Sequence, residues 1–524
     1  MTSNSFVGRT LQVIDDFNES ERLYLFARAR ELKTAIRSRD NATMDAFRID
    51  DADFGLYEVF LEDSTRTRES FKNAALFHHV KSLELNVASS SFNKKESYAD
   101  TFANLIGYDN QVFVVRSTLE GVCKHLAERM GEYLKRQGFP AWVSFINAGD
   151  GRHEHPTQEL LDEFTFLEDL DWSHESVHLA MVGDLYHGRT VHSKVRGLKL
   201  FDRVSVDLVA PPELAMPRSY VHAMRDQGYQ VREFESIDSY LSSDSVARQW
   251  YFTRPQIERM GDRILRRQNE LRAAITFLPE MSDRLPEKTT FYHPLPRHRE
   301  HPTIPAELDA TPLNGWERQS ANGWIVRIAL LSALAGRIGD DYDGPVGPEP
   351  LPDEPFVQEI AERDSGPKQY SEGVRPITHG VVIDHVNVGE SPDEIRAHMA
   401  TILSVMKLSG RGGEWISTGG DGTHKGLIFR PDHPPLTESE IRRLAAVAPG
   451  STVNLIRDGT VERKYRLSSP NRIYGLESLI CRNEACITHP DNHEPVRPRF
   501  RRTTPGRYAC EFCDAEHGFK EIWQ

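Results

Sequence analysis

Cysteine is nearly absent: the 524-residue chain has five. So few thiols exclude a disulfide framework and lead us to expect a reducing, cytoplasmic setting. Long hydrophobic runs are missing as well. None reaches the ~18–20 apolar residues that span a bilayer, and the opening "MTSNSFVGRT" lacks the charged and apolar regions of a signal peptide. Positive charge is in deficit, with a formal net charge of −14. That balance excludes a general nucleic-acid binder, because neutralising phosphates needs clustered lysine and arginine. No internal repeat is found. What is present, 39% hydrophobic, 9% aromatic and 27% charged residues, suffices for several ordinary cores. At about 100–200 residues per domain, three to four domains are expected.

The scarce cysteines are not scattered. Cys481 and Cys486 form C-x4-C, and Cys510 and Cys513 form C-x2-C, all near the end of the chain. Two close pairs that a fold can bring together make a tetrahedral thiolate cage. Zinc is the expected metal and its role structural, because four thiolates leave no open coordination position. An iron site of rubredoxin or iron–sulfur type is the alternative. Cys123, in "EGVCKHL", reads as a small core residue.

An amphipathic helix opens the chain, with Leu25, Ala29, Leu32 and Ile36 on one face and Asn18 or Ser20 as its cap. Short apolar runs then alternate with helical stretches: "GLYEVFLE", "NQVFVVR", "AWVSFINAG", "VHLAMVGD" and "RVSVDLVAP". That alternation predicts parallel α/β sheets, over a length sufficient for two such domains. "GWIVRIALLSALAGRIG" reads as a buried helix closing this section, and the stretch from Gly339 to about Gly373 has the proline, glycine and acidic composition of a linker. "GVVIDHVNV" and "STVNLIRDGTVERKYRL" then give new strands around a capped helix in "LTESEIRRLAAVAPG", and the cysteine module follows.

The sharpest chemical signal is "FLEDSTRTRESF". Ser64, Thr65, Arg66, Thr67 and Arg68 interleave hydroxyls and guanidinium groups at a strand-to-helix junction. Backbone N–H groups at a helix start bind anions, and the side chains add charge-assisted bonds to phosphate. A capped surface helix with solvated arginines is the structural alternative. "GDLYHGRT" imitates a phosphate-binding loop, but Arg189 stands where a lysine belongs and the loop is bulky. An arginine at the end of a strand suits carboxylate recognition better. Histidines cluster in "GRHEHPTQ" and "YHPLPRHREHP" without the helical pairing of a metalloprotease; His155 stands out, directly before Pro156, Thr157 and Gln158.

Taken in order, "STRTR", "SSSFNKKES", "VVRSTLEG", "NAGDGRHEHPTQELLD", "MVGDLYHGRTVHS", "YFTRPQIER" and "YHPLPR" resemble the catalytic chain of aspartate carbamoyltransferase, over about residues 5–338. From about Val374 to Trp523, "VVIDHV", "APGSTVNLI" and the cysteine pairs resemble that enzyme's regulatory chain. The resemblance implies a catalytic–regulatory fusion. It would comprise a carbamoyl-phosphate domain over 1–155, completed by a helix at 315–338, and an aspartate domain over 156–314. A linker over 339–373, an α+β regulatory domain over 374–470 and a small zinc-bound β domain over 471–524 would follow. It implies transfer of the carbamoyl group from carbamoyl phosphate to L-aspartate, with no organic cofactor. Ser64, Thr65, Arg66, Thr67 and Arg116 would hold the phosphate. Thr67, Arg116 and His155 would donate to the carbonyl oxygen, where negative charge grows. Gln158 and the carbonyls of Leu295 and Pro296 would fix the carbamoyl NH2. Arg189 would take the aspartate α-carboxylate, and Arg254, Gln256 and Lys95 the side-chain carboxylate. Glu62 and Arg259 would brace the closed domains. Ser91 and Lys95 would complete a neighbouring subunit's site, implying a homotrimer or a dimer of trimers with shared sites.

Asp384, His385, Asn454, Val461 and Lys464 match positions of a nucleotide effector site for ATP- and CTP-type ligands. Phe429, beside Arg430, replaces a lysine there, and Gly459 replaces a tyrosine. Within the catalytic part, Asn93 and Pro255 also depart from the family pattern. Two other readings remain: an ornithine-type carbamoyltransferase, and a non-catalytic zinc-ribbon scaffold suggested by the basic run "RPRFRRTTPGR". Arg254 and Lys95, which suit a second carboxylate, and "HPLPR" favour aspartate over ornithine.

Overall fold

A computed structural model describes residues 4–85, 96–256, 267–348, 355–360 and 377–523. Ser91, Asn93, Lys95 and Arg259 lie outside the described residues. The chain divides into two compact units, Met1–Glu349 and Pro350–Gln524.

The first unit carries two parallel sheets. One has the order Lys81–Glu84, Gly55–Phe60, Val112–Ser117, Ser144–Asp150. The other has the order Gln230–Phe234, Arg203–Val209, Ser176–Val182, Gln249–Phe252, Thr290–Tyr292. Their central strands are mostly apolar and largely buried, as befits strands covered on both faces. All five apolar runs of the first part of the sequence form strands.

The opening helix spans Glu19–Ser38. Asn18 caps it by accepting the Glu21 N–H at 3.0 Å, while Glu21 returns a bond to the Asn18 N–H, also at 3.0 Å. Leu25, Ala29 and Leu32 bury its inner stripe. The helix Trp316–Leu334 is buried on every side from Ile325 onward, which matches the mostly apolar sequence of that half. It packs against Glu19–Ser38, Thr65–His78 and Pro156–Asp169. The last of these runs from the end of the first sheet to the start of the second. Pro156 occupies its first turn, where the missing N–H costs nothing.

Two details depart from the linker expectation. Tyr342 packs its ring on Phe6 and Tyr24, so the first residues after Gly339 belong to the first unit's surface. Val357–Glu359 forms an edge strand antiparallel to Thr460–Leu467, although its flanking composition is that of a linker. A cross-strand partner outweighs composition there.

The second unit has a six-stranded antiparallel sheet in the order Val357–Glu359, Thr460–Leu467, Thr452–Arg457, Gly380–Val386, His424–Pro431, Gly413–Thr418. The helices Pro392–Met406 and Glu438–Val447 bury their apolar stripes, and strand residues Val381, Ile383, Val453 and Leu455 bury the facing side of the sheet. A four-stranded sheet, Arg472–Ile473, Phe500–Thr504, Arg507–Cys510 and Glu516–Gly518, ends the chain.

Candidate active site and metal centre

A cleft of about 1380 Å³ opens in the first unit. It is lined from Glu62 to Thr67, by Arg116, His155 and Gln158, by Arg189, Arg254 and Gln256, and by Leu295 and Pro296. Every expected substrate residue within the described part of the chain therefore meets in one place. The two sheets supply them from the carboxyl ends of their strands, where parallel α/β folds bind ligands.

Ser64 is the residue before the helix Thr65–His78, with an extended backbone (φ −157°), and its hydroxyl makes no capping bond. The helix N–H groups, the Ser64 hydroxyl and the side chains of Arg66 and Thr67 thus converge on one spot. Such a spot favours an anion. Arg66 reaches across to donate to the Leu295 carbonyl. Thr67 Oγ1 lies 3.4 Å from His155 Nε2, and His155 Nδ1 lies 3.4 Å from the Thr157 hydroxyl.

Positive charge is concentrated here. Burial lowers the pKa of Arg116 to about 9, and Arg189 adds repulsion. Burial also lowers that of Arg327 to about 10. His155 is held well below its ordinary value by burial, then by Arg189, Arg116, Arg327 and Arg66. It is therefore a neutral imidazole at physiological pH, able to donate a hydrogen bond but not a spare proton. Glu62 partly offsets the cations, 3.3 Å from Arg189 and 3.6 Å from Arg116. Gly149, at φ +113°, makes that crowding possible. A Cβ there would stand 2.9 Å from the Arg189 guanidinium carbon and 3.1 Å from Arg116 Nη1. The arrangement selects a ligand, or pair of ligands, with several negative charges.

Arg189 also donates to the Gly151 carbonyl at 3.0 Å, and the Gln256 N–H donates to Asp184 at 2.9 Å. Sequence reasoning missed Arg327, His293 and Thr253, which line the same cleft. Arg327 was detectable as the one charged residue between Trp324 and Ala335; it donates to Ser70 at 2.9 Å. His293 buries a ring whose Nδ1 accepts the Leu295 N–H at 2.7 Å, and burial takes its pKa down to about 3. No motif signals that bond, which depends on how the loop turns.

At the chain end, Cys481, Cys486, Cys510 and Cys513 are buried with their sulfurs all within 4.8 Å of one another. Cys481 and Cys513 lie 3.7 Å apart, and Cys486 and Cys510 lie 3.8 Å apart. A tetrahedral metal with ~2.3 Å bonds to sulfur requires about that edge, far longer than the ~2.05 Å of a disulfide. The four thiols fit a structural metal. His517 Nε2, 3.4 Å from the Cys481 sulfur, adds a contact outside the ligand set.

On the six-stranded sheet, Asp384, Asn454, Val461 and Lys464 lie on neighbouring strands, on the face away from the helices; Asn454 stands opposite Lys464 in register. Phe429 pairs with Val382 and shares that face. Asp384 is paired with Lys425 at 3.1 Å. His385 follows on the Gly380–Val386 strand, with φ +63°. Arg430 points the other way. It is buried against the Leu408 carbonyl at 3.1 Å and Glu414 at 2.6 Å, and so does not stand in for the missing lysine.

Comparison with known proteins agrees with this layout. Residues 9–168 match the aspartate/ornithine carbamoyltransferase carbamoyl-P binding domain. Residues 372–468 match the allosteric domain of the aspartate carbamoyltransferase regulatory chain, and 471–523 its metal binding domain. The protein PyrBI of Treponema denticola is 56% identical over 99% of both chains, and that of Thermotoga maritima 48% identical over 99% of both. The chain belongs to the aspartate carbamoyltransferase family, as a fusion of catalytic and regulatory parts. A Trypanosoma cruzi aspartate transcarbamoylase in complex with carbamoyl phosphate and aspartate is 28% identical, with a TM-score of 0.53, over 63% of this chain and 98% of that one. The catalytic subunit of M. jannaschii aspartate transcarbamoylase is 30% identical with a TM-score of 0.53, over 62% and 97%. Both likenesses cover about the length of the first unit, where the aspartate carbamoyltransferase cleft is found.

Proposed function

We propose that this chain transfers the carbamoyl group of carbamoyl phosphate to the amino group of L-aspartate. The products are N-carbamoyl-L-aspartate and phosphate, the committed step of pyrimidine synthesis de novo. The observation that carries the reading is a single cleft that joins the hydroxyl–arginine helix start to Arg189, Arg254 and Gln256.

In this reading Ser64, Thr65, Arg66, Thr67 and Arg116 bind the phosphate. Thr67, Arg116 and neutral His155 donate to the carbonyl oxygen as the aspartate nitrogen attacks its carbon. Each such donor is worth about 2.7–4 kcal/mol when it is aimed at the developing charge. The carbon–nitrogen bond forms, the carbon–oxygen bond to phosphate breaks, and the departing phosphate takes a proton from the amine. No covalent enzyme intermediate is required; positioning and charge stabilisation suffice. Arg189 binds the α-carboxylate. Arg254 and Gln256 read the side-chain carboxylate, with Lys95 contributed by a neighbouring subunit together with Ser91. The active assembly is accordingly a trimer or a pair of trimers. The domain boundaries are those given in the sequence analysis, the thiolate metal is zinc, and the compartment is the cytoplasm.

The outer face of the regulatory sheet is the position assigned to nucleotide effectors of the ATP and CTP type, with Phe429 removing one cation from it. Titrating the initial rate with each nucleotide tests this; a flat response for both removes the effector role.

N-(phosphonacetyl)-L-aspartic acid, the ligand of another Trypanosoma cruzi aspartate transcarbamoylase structure, joins both substrate charges in one molecule. Equilibrium dialysis should find one bound per chain, with binding lost in Arg66→Ala and in Arg189→Ala. Binding left intact by either substitution contradicts the assignment of this cleft.

A further inference from the structure

Below the cleft lies a group of charges with almost no access to water. Asp162 and Lys194 have no exposed surface, and Gln319 is 1% exposed. Asp162 Oδ1 accepts the side-chain N–H groups of Gln158 at 2.8 Å and of Gln319 at 2.6 Å. Its Oδ2 accepts the Lys194 ammonium at 2.6 Å, and Lys194 also donates to Glu159 at 2.8 Å. Gln319 turns its own oxygen to the backbone N–H of His293, at 2.8 Å.

The chemistry of these donors fixes direction. The His293 N–H can only donate, so the oxygen of Gln319 must face it and the NH2 of Gln319 must face Asp162. An ionised carboxylate can only accept. It therefore also takes the NH2 end of Gln158, and the end of Gln158 left for the cleft is the oxygen. A carbamoyl group presents an NH2 that needs an acceptor. His293 begins the segment that carries the Leu295 and Pro296 carbonyls, the other acceptors assigned to that NH2.

Resting on the transferase reading, we infer that Asp162 is a positioning residue for carbamoyl recognition. It turns the Gln158 oxygen toward the substrate NH2 and, through Gln319, holds the loop bearing the second set of acceptors. Lys194 is the counter-charge bonded to the other oxygen of Asp162. Burial acts to lower the lysine pKa, yet Asp162 and Glu159 outweigh it and raise it, so the ammonium persists. An amide at position 162 reverses this logic. Its NH2 is repelled by Lys194 and turns to the two glutamines, which must then offer it their oxygens.

The test compares two stable probes on the assembled protein. Phosphonoacetamide carries the NH2; 2-oxopropylphosphonate carries a methyl in its place. Wild type should prefer the amide by about tenfold or more, the worth of hydrogen bonds that the methyl analogue cannot make. Asp162→Asn should abolish the preference while leaving the affinity for inorganic phosphate within about twofold. Adding Lys194→Met to Asp162→Asn removes the repulsion, lets the asparagine oxygen face the glutamines again, and should restore part of the preference. If Asp162→Asn does not fold, Gln319→Leu, which keeps the Asp162–Gln158 bond but frees the His293 loop, should lose part of the preference with phosphate affinity within about twofold. An unchanged preference, an equal loss for phosphate and phosphonoacetamide, or no recovery in the double variant overturns the inference. A wild type that binds both probes equally overturns it as well; one that binds neither probe sinks the transferase reading beneath it.

Discussion

The guanidinium of Arg189 stands 3.3 Å from the carboxylate of Glu62, joining a residue that starts a helix of the second sheet's region to one that follows a strand of the first. The arginine assigned to the aspartate α-carboxylate is thus held by a residue just before the helix Thr65–His78. Glu62→Gln leaves the shape and removes the charge. It should raise the KM for aspartate by roughly tenfold or more, the usual worth of a charge-assisted bond, with a smaller change in the KM for carbamoyl phosphate. Steady-state kinetics with each substrate varied in turn decides the matter.

A site shared between subunits predicts complementation. Arg66→Ala removes a phosphate contact, and Lys95→Ala removes the cation that a neighbour would supply. Each variant should be inactive alone. Mixed, dissociated and reassembled, they should regain part of the activity, because some sites then draw intact residues from both chains. No recovery, with reassembly verified by sedimentation, counts against sharing.

Metal removal should act locally. The sulfur spacings of 3.7 and 3.8 Å belong to a cage far from the substrate chemistry in role. A chelator or mercurial should release one zinc per chain, measured by elemental analysis, and unfold the part after residue 471, since such small domains fold on their metal. Basal carbamoyl transfer should survive. Total loss of activity would show that the cage does more than hold its own domain.

Glu58 gives a pH dependence of stability. It is fully buried on the Gly55–Phe60 strand with Oε2 lacking a partner among the described residues, and burial pushes its pKa from 4.5 to about 8. The folded protein binds that proton more tightly than the unfolded chain. The group's contribution is therefore full below about pH 4.5 and is lost as the pH rises through 8. Glu58→Gln should flatten the decline of Tm between about pH 5 and 8, read by thermal unfolding.

Much of this is legible in the amino-acid sequence, for physical reasons. Alternating apolar runs and helical stretches admit few arrangements, so the parallel sheets followed. Cys481, Cys486, Cys510 and Cys513 announced a cage because so few other cysteines compete. The substrate residues clustered in short motifs at strand ends, where a parallel fold must gather them. Long-range bonds left no such trace. Phe429 and Arg430 are neighbours in sequence, but strand register turns Arg430 to the opposite face. The edge strand Val357–Glu359 depends on a partner about a hundred residues away. Asp162, Gln319 and His293 meet only once the helices Pro156–Asp169 and Trp316–Leu334 pack together.

The most direct measurement supplies the purified protein with carbon-13-labelled carbamoyl phosphate and either L-aspartate or L-ornithine, and follows the label. The label should appear in N-carbamoyl-L-aspartate with release of one phosphate per product, and none should appear in citrulline. Label in citrulline, or folded protein that forms neither product, would contradict the account.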